Sequence, residues 1–502
     1  MQHSHGPLTI GRHGEIRGAD LSRRSSQFEG RFGRMFRTLP PAHFDETMLI
    51  DLARAMTADA DTPTPEDQID DEENSGISAG YTYLGQFIDH DLTFDPASSL
   101  QKQNDPDGLT DFRTPRFDLD CVYGRGPDDQ PYLYRQDGVH MLLGAKLTGN
   151  DADPKARMIP RETPEEGEAA RATIGDPRND ENVIVSQLQS SMLRFHNRMA
   201  DLLGPAAAFD EVQRQVRWHY QWVVLHDFLP TIIGQDMVNS ILGVSAPGKP
   251  IDPQLKFYKP QKSAFMPVEF SVAAYRFGHS MVRPIYRLNA KVDRLPIFSL
   301  KGESLVGFRA FPTSFGIDWS LFFKMGDAPK TGPKRVQPAY KIDTSLVNPL
   351  GALPASVASN PSSLPQRNLL RGMRMSLPSG QSVARAMGVK PIDDKDLRVG
   401  KATEADSTGN KRLTDVSAKF AGNAPLWYYV LAEAQQQFKK NDTPIRLGAV
   451  GGRIVGEVFV GLMLADSHSY IRQNPNFTPR SDLTSPAGEF KMADLLRTAM
   501  QA

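Results

Sequence analysis

The stretch Tyr81–Pro96 reads YTYLGQFIDHDLTFDP, and its interpretation governs how the rest of the chain is read. Three polar residues, Asp89-His90-Asp91, follow the apolar pair Phe87-Ile88. Taken alone, a histidine in that setting is more often a satisfied structural group than a catalyst. A metal cluster would be marked by HExxH or by Cys/His pairs at ligand spacing, and neither pattern supports one here.

Composition narrows the classes. The 502 residues include 58 Lys and Arg against 59 Asp and Glu, a net charge of −1, so there is no basic excess of the kind that binds nucleic acid. At 39% hydrophobic and 23% charged residues, the chain has the make-up of a folded protein with a large core. One cysteine, Cys121, allows no intramolecular disulfide. The opening stretch MQHSHGPLTIGRHGEIRGADLSRR has no apolar segment of signal-peptide type. A cytoplasmic protein is the expectation, with export by another route as the alternative. The longest apolar run, Ala449–Ala465, contains Arg453 and Glu457 and reads as a buried helix rather than a membrane span.

Helical patterning dominates. Between Glu211 and Leu229, apolar side chains fall at Val212, Val216, Tyr220, Val223, Val224 and Phe228. This is the stripe of a core-facing helix, which Pro230 should end. Gln187–Leu203 and Ala434–Phe438 follow suit, Val272–Tyr286 reads as an apolar helix interrupted by Arg276 and His279, and period-2 alternation is scarce. Residues 58–74, with eight acidic side chains among prolines, read as a solvated loop, and the Pro/Ser-rich residues 326–367 as a long surface excursion. No repeat of solenoid or propeller period is present. The expectation is a mainly α protein with few short strands: an N-terminal arm at 1–30 and a single large helical domain at 31–502.

Two further segments carry oxygen ligands and charge. Thr114–Gly124 reads TPRFDLDCVYG, in which the side chains of Thr114, Asp118 and Asp120 could converge on one hard cation. Ile174–Val185 reads IGDPRNDENVIV, and Arg178 and Glu181 stand there at the start of a helix.

GQFIDHD resembles the distal signature of the animal-type haem peroxidases, and four further matches follow in the family's order. They are the Thr114–Gly124 loop, Arg178-x-x-Glu181 ahead of Arg194-Phe195-His196-Asn197-Arg198, the proximal YRFGH ending at His279, and Asn368 with Arg371. The resemblance implies haem b as cofactor. His90 would lie above the iron as base and then acid, with Gln86 beside it and Arg178 polarising the peroxide bond. His279 would be the proximal iron ligand, with Asn368 accepting a hydrogen bond from its imidazole. Arg276 and Arg371 would pair with haem propionates, and Asp89 and Glu181 would form esters with haem methyls. Asp91, Thr114, the carbonyl of Arg116, Asp118 and Asp120 would hold calcium. Where some members carry a methionine bonded to the haem, this chain has Asn182, which points away from chloride and towards easier donors. His196 is expected to be structural.

The function so implied is reduction of hydrogen peroxide with oxidation of small donors such as halide, thiocyanate or phenols. The alternatives are a fatty-acid dioxygenase of the same superfamily and a haem-binding adhesion or interaction protein. The dioxygenases carry a radical tyrosine three residues before the proximal histidine, where this chain has Arg276, Tyr275 being one residue further back.

Overall fold

Asn182 starts the longest helix, Val183–Leu203: its side-chain Oδ1 accepts from the backbone N–H of Ile184 (3.1 Å) and Val185 (2.9 Å), satisfying donors that a helix start leaves orphaned. Nearly the whole helix is buried, polar residues included, so it serves as an axis rather than a surface element. The helices Ala79–Leu92, Phe209–Val223 and Met492–Ala499 pack against it. A second centre forms where Leu426–Gln435 meets Ala449–Ala465. The computed structural model describes residues 30–59, 69–93, 110–111, 114–164, 166, 168–244, 251–260, 264–299, 302–358, 360–404, 409–438, 442–485 and 488–502. The arm expected at 1–30 lies, except for its last residue, outside the described residues.

The architecture is mainly helical with short strands, as the sequence leads one to expect. Gly30–Gly33 pairs antiparallel with Thr110–Asp111 and parallel with Met266–Pro267. Glu73–Ser78 pairs antiparallel with Pro338–Tyr340 through an irregular register. The apolar run Ala449–Ala465 is a buried helix whose glycines admit close neighbours. A Cβ on Gly461 would come within 2.2 Å of the Tyr258 ring. Its buried Glu457 accepts three backbone N–H groups, from Lys256 (3.0 Å), Phe257 (2.7 Å) and Tyr258 (3.0 Å), which offsets the cost of hiding a carboxylate. Among the described residues, no helix is long and apolar enough to cross a membrane.

Five local expectations are corrected. Pro230 does not end its helix: a π-helical turn, Val224–Phe228, intervenes and Leu229–Ile233 continues to Gly234. The π turn just ahead of Pro230 widens the spiral where the proline ring and its missing N–H would disturb a regular α-helix. The Ala434–Phe438 signal is only the tail of the helix Leu426–Gln435. The segment from Val272 is no regular helix either, being a π turn, Glu269–Ala273, followed by a tighter 3₁₀ run, Ala274–His279. Residues 326–367 are not a surface excursion, since the buried Ile342, Leu346 and Leu350 run through the interior. The acidic stretch 58–74 ends inside the protein, its residues 60–68 lying outside the described residues. Buried Glu73 there meets Arg283 at 2.8 Å and Arg335 at 2.6 Å. Two cations from distant segments turn a solvent-seeking carboxylate into a core residue.

The Arg194–Arg198 motif is a clamp. Arg194 grips Asp153 with two bonds (2.6 and 2.9 Å), and Asn197 pairs with both backbone groups of Met141. His196 donates from Nε2 to the Val139 carbonyl (2.8 Å) and accepts the Tyr123 hydroxyl at Nδ1 (3.0 Å). Fully buried, its imidazole is pushed by desolvation from 6.5 to about 4. The unfolded chain therefore takes up this proton first, so stability is full above pH 6.5 and falls as pH drops towards 4. His196 should account for about 3 kcal/mol of that loss. Urea titrations at pH 7 and 4 should show a smaller pH dependence in His196→Gln, whose amide can make both hydrogen bonds; an unchanged difference would remove His196 from the account.

Candidate active site

Gln86, Asp89 and His90 stand within one turn of the helix Ala79–Leu92, at spacings that place them side by side. Asp91, one residue on, turns about 100° away and is fully buried on another face. The second piece is the short turn Pro177–Asp180. Asp176 caps it by accepting the Arg178 N–H at 2.8 Å, with Pro177 in first position. The same carboxylate holds the Arg178 guanidinium through Nε (3.2 Å) and Nη2 (2.8 Å), and Nη2 also donates to the His90 carbonyl at 3.0 Å. Arg178 is thereby fixed to the backbone of the residue it would assist.

Glu181 completes this side, its Oε1 lying 3.7 Å from His90 Nε2. Asn182 commits its oxygen to the helix N-terminus, so its Nδ2 is left to donate to Gln86 Oε1 (3.0 Å). That bond turns the Gln86 amide so that Nε2 donates to Glu181. Burial pushes the Glu181 carboxyl up to about 7; Arg178 opposes the shift and Asp89 adds to it. Asp89 is likewise raised by burial, against the pull of both Arg178 and Arg276.

On the third piece, Arg276 donates from Nε to the Ser271 carbonyl (3.0 Å) and from Nη1 to Asn368 Oδ1 (3.0 Å). Asn368, fully buried on the helix Leu364–Arg374, then presents Nδ2 to His279 Nδ1 at 2.8 Å. The expected pairing is present but its direction is reversed. A guanidinium can only donate, so it claims the amide's oxygen and leaves the amide N–H to face the imidazole. Burial and then the Arg276 charge push His279 down to about 3. Arg276 itself is lowered by burial, with Arg371 and Arg367 adding like-charge repulsion. Tyr275 sends its hydroxyl to the Gly85 carbonyl (3.2 Å), tying this segment to the first helix.

The residues present fit a large flat cofactor. Glu181 keeps 34% of its side chain accessible although burial moves its pKa. Gln86, Asp89, Asn182, Arg276, Gly278 and His279 are also only partly covered. These partly accessible side chains come from three separate segments of the chain. A Cβ on Gly278 would meet nothing within 4 Å. The donor set would offer such a group an imidazole for a metal, arginines for acidic substituents and carboxylates for covalent or polar attachment.

Behind His90, carboxylate oxygens of Asp91, Asp118 and Asp120 lie within 4.8 Å of one another. Leu119, buried with φ of 57°, bends the loop through the left-handed region. Thr114 donates to Asp118 Oδ2 (2.7 Å), and the Arg116 N–H closes the turn onto the Thr114 carbonyl (2.7 Å). Asp91 Oδ2 has no hydrogen-bond partner, and burial, then Asp118 and Asp120, drive the Asp91 pKa well up.

The site residues expected from sequence thus fall in two neighbouring groups, around His90 and His279 or around Asp91, with Arg371 near enough to Arg276 to act on its charge and Arg116 in the loop beside the cluster. Sequence reading missed Asp176, Asn179 and Gln189. Asp-Pro at a helix start is a capping signal that could have marked the first. Nothing local marks the other two.

The family profile described as animal haem peroxidase matches residues 101–304. That span includes Arg178, Glu181 and His279 but stops short of His90. Thyroid peroxidase of Rattus norvegicus is 26% identical over 366 residues, which are 69% of this chain and 37% of the relative. The Sus scrofa protein is 29% identical over 367 residues, 67% of this chain and 36% of the relative. The chain therefore spans little more than a third of the length of these relatives. Among solved structures, peroxidase A from Dictyostelium discoideum shares 16% identity over 90% of this chain and 92% of its own, with a TM-score of 0.57. Fatty acid alpha-dioxygenase from Oryza sativa shares 14% over 98% and 84%, also at 0.57. These structures define the class, the helical fold common to peroxidases and alpha-dioxygenases. Within it, residues 101–304 match the animal haem peroxidase profile, and the relatives with named activities are peroxidases.

Proposed function

We propose that this chain is a haem peroxidase that reduces hydrogen peroxide at the expense of small electron donors. The observation that carries the reading is the convergence of Arg178, Gln86 and Glu181 on His90, with Arg276, the neighbour of His279, close enough to act on Asp89. His279 would hold the haem iron, Arg276 and Arg371 the propionates, and Asp89 and Glu181 would esterify the ring. When bound, haem supplies the redox-active iron that takes up the oxidising equivalents of peroxide. His90 would take a proton from hydrogen peroxide and return it to the departing oxygen. Arg178, held by Asp176, would stabilise the negative charge that gathers on that oxygen. The Gln86 amide, which donates one N–H to Glu181, would use its other to orient the water or small anion beside it. Small donors of phenol, thiocyanate or halide type are the proposed reductants.

The dioxygenase reading is weaker on one specific ground. Arg276 occupies the position three before His279, and the Tyr275 hydroxyl is engaged by Gly85. Oxygen uptake with linoleate in the absence of peroxide, lost in Tyr275→Phe, would reverse this preference.

We assign calcium to the Asp91, Asp118 and Asp120 cluster, with Thr114 and the Arg116 carbonyl completing the shell. Three carboxylates around a buried unsatisfied oxygen call for a cation, and oxygen ligands suit calcium. It would fix the backbone on which His90 sits.

Three outcomes are expected. Haem titration should give a full Soret band in wild type and His90→Ala but not in His279→Ala, while His90→Ala consumes peroxide about 10²-fold more slowly or worse; equal rates in wild type and His90→Ala would exclude the assignment. Chelation should lower the melting temperature of wild type, calcium should restore it, and Asp91→Asn should respond to neither. After peroxide treatment, acidified organic solvent should extract haem poorly from wild type and readily from the Asp89→Ala, Glu181→Ala double variant; complete extraction of unmodified haem from both would remove the esters.

A further inference from the structure

A base that must accept a proton at one ring nitrogen needs its other nitrogen protonated, and an imidazole alone does not choose between the two. His90 Nδ1 lies 2.8 Å from Asn179 Oδ1. Asn179 Nδ2 donates to Gln189 Oε1 at 2.9 Å, and Gln189 Nε2 donates to the Cys121 carbonyl at 3.3 Å. The last group is a backbone carbonyl, which can only accept. Direction therefore propagates backwards along the chain. Gln189 must turn its N–H groups to Cys121, which leaves its oxygen to face Asn179. Asn179 must then turn its N–H groups to Gln189, which leaves its oxygen to face His90. Turning either amide alone would set like groups against each other. All three side chains are buried, His90 at 5% and Asn179 and Gln189 at 0%, where a mismatched pair would cost a full desolvation penalty.

The geometry points to Asn179 and Gln189 as positioning residues that hold His90 as the Nδ1–H tautomer, with the lone pair of Nε2 directed towards Glu181 and the site. The far end of the relay stands on Cys121, whose neighbour Asp120 belongs to the acidic cluster and whose thiol lies 3.5 Å from Asp91 Oδ1. The ring is thus tied to that loop twice, through the helix that carries Asp91 and through the two amides. Both amides are provided by one stretch, Asn179 just before and Gln189 within the helix Val183–Leu203. The tautomer follows from this chain's hydrogen bonds alone; only its catalytic consequence rests on the peroxidase reading.

The test uses full-length protein labelled with ¹⁵N-histidine and free of haem, at a pH that keeps imidazoles neutral. The His90 signals are identified by their loss in His90→Gln. Wild type should carry the proton on Nδ1. Asn179→Leu should shift the ring towards the Nε2–H form. Gln189→Leu should do so in part, because Asn179 can then turn. Asn179→Asp, whose carboxylate still accepts from Nδ1, should retain the Nδ1–H form. In the haem-loaded protein, Asn179→Leu should consume peroxide about a hundredfold more slowly at unchanged haem content, and Asn179→Asp should recover most of the rate. A wild-type proton on Nε2, or an Nδ1–H form that survives in Asn179→Leu, overturns the inference whatever the activities. If the tautomer behaves as expected but His90→Gln consumes peroxide like wild type, the positioning stands and the peroxidase reading fails.

Discussion

The hydrogen bond between His90 Nδ1 and Asn179 Oδ1 is the contact on which the site's order depends, because the groups around it are too deeply buried for water to correct a mistake. In such a place a side chain that can turn either way, an amide or an imidazole, takes its direction from a partner that cannot. The same rule operates three times. The Cys121 carbonyl orients Gln189, Asn179 and His90. The helix start at Ile184 and Val185 orients Asn182, then Gln86, then the bond to Glu181. The Arg276 guanidinium orients Asn368 and so the face it offers to His279.

Electrostatics sets the second constraint. Desolvation drives Asp89, Glu181 and Asp91 towards their neutral forms and His279 away from protonation. Arg178 acts against the first two of these, and Arg276 joins it at Asp89. Asp91 faces two more carboxylates and no cationic side chain is among the causes of its shift. A bound cation would supply that balance.

The architecture serves these constraints more than it serves regularity. The proximal segment abandons α-helical geometry for a π turn and a 3₁₀ run before His279. Such departures re-aim side chains that a straight helix would point elsewhere. The Asn182 cap shows one residue serving both ends of the problem, since it satisfies the helix N-terminus and orients the amide of Gln86.

The sequence by itself determined the helical class and the buried helix at Ala449–Ala465, and it offered candidates for the two residue groups, because apolar periodicity and short ordered motifs are local properties of the chain. His90, Arg178 and His279 could be named from GQFIDHD, the Arg178-x-x-Glu181 pair and YRFGH without coordinates. Tertiary structure alone decided what depends on partners far away in sequence. It made Glu73 a core residue by bringing Arg283 and Arg335 to it, and carried residues near Ile342 through the interior although their composition resembles a surface loop. It also fixed the directions of the hydrogen bonds at Asn368, Asn179 and Gln189. An amide has a donor and an acceptor on one nearly symmetric head, so its residue letter is silent on direction, and only the fixed groups it meets in the folded chain can choose.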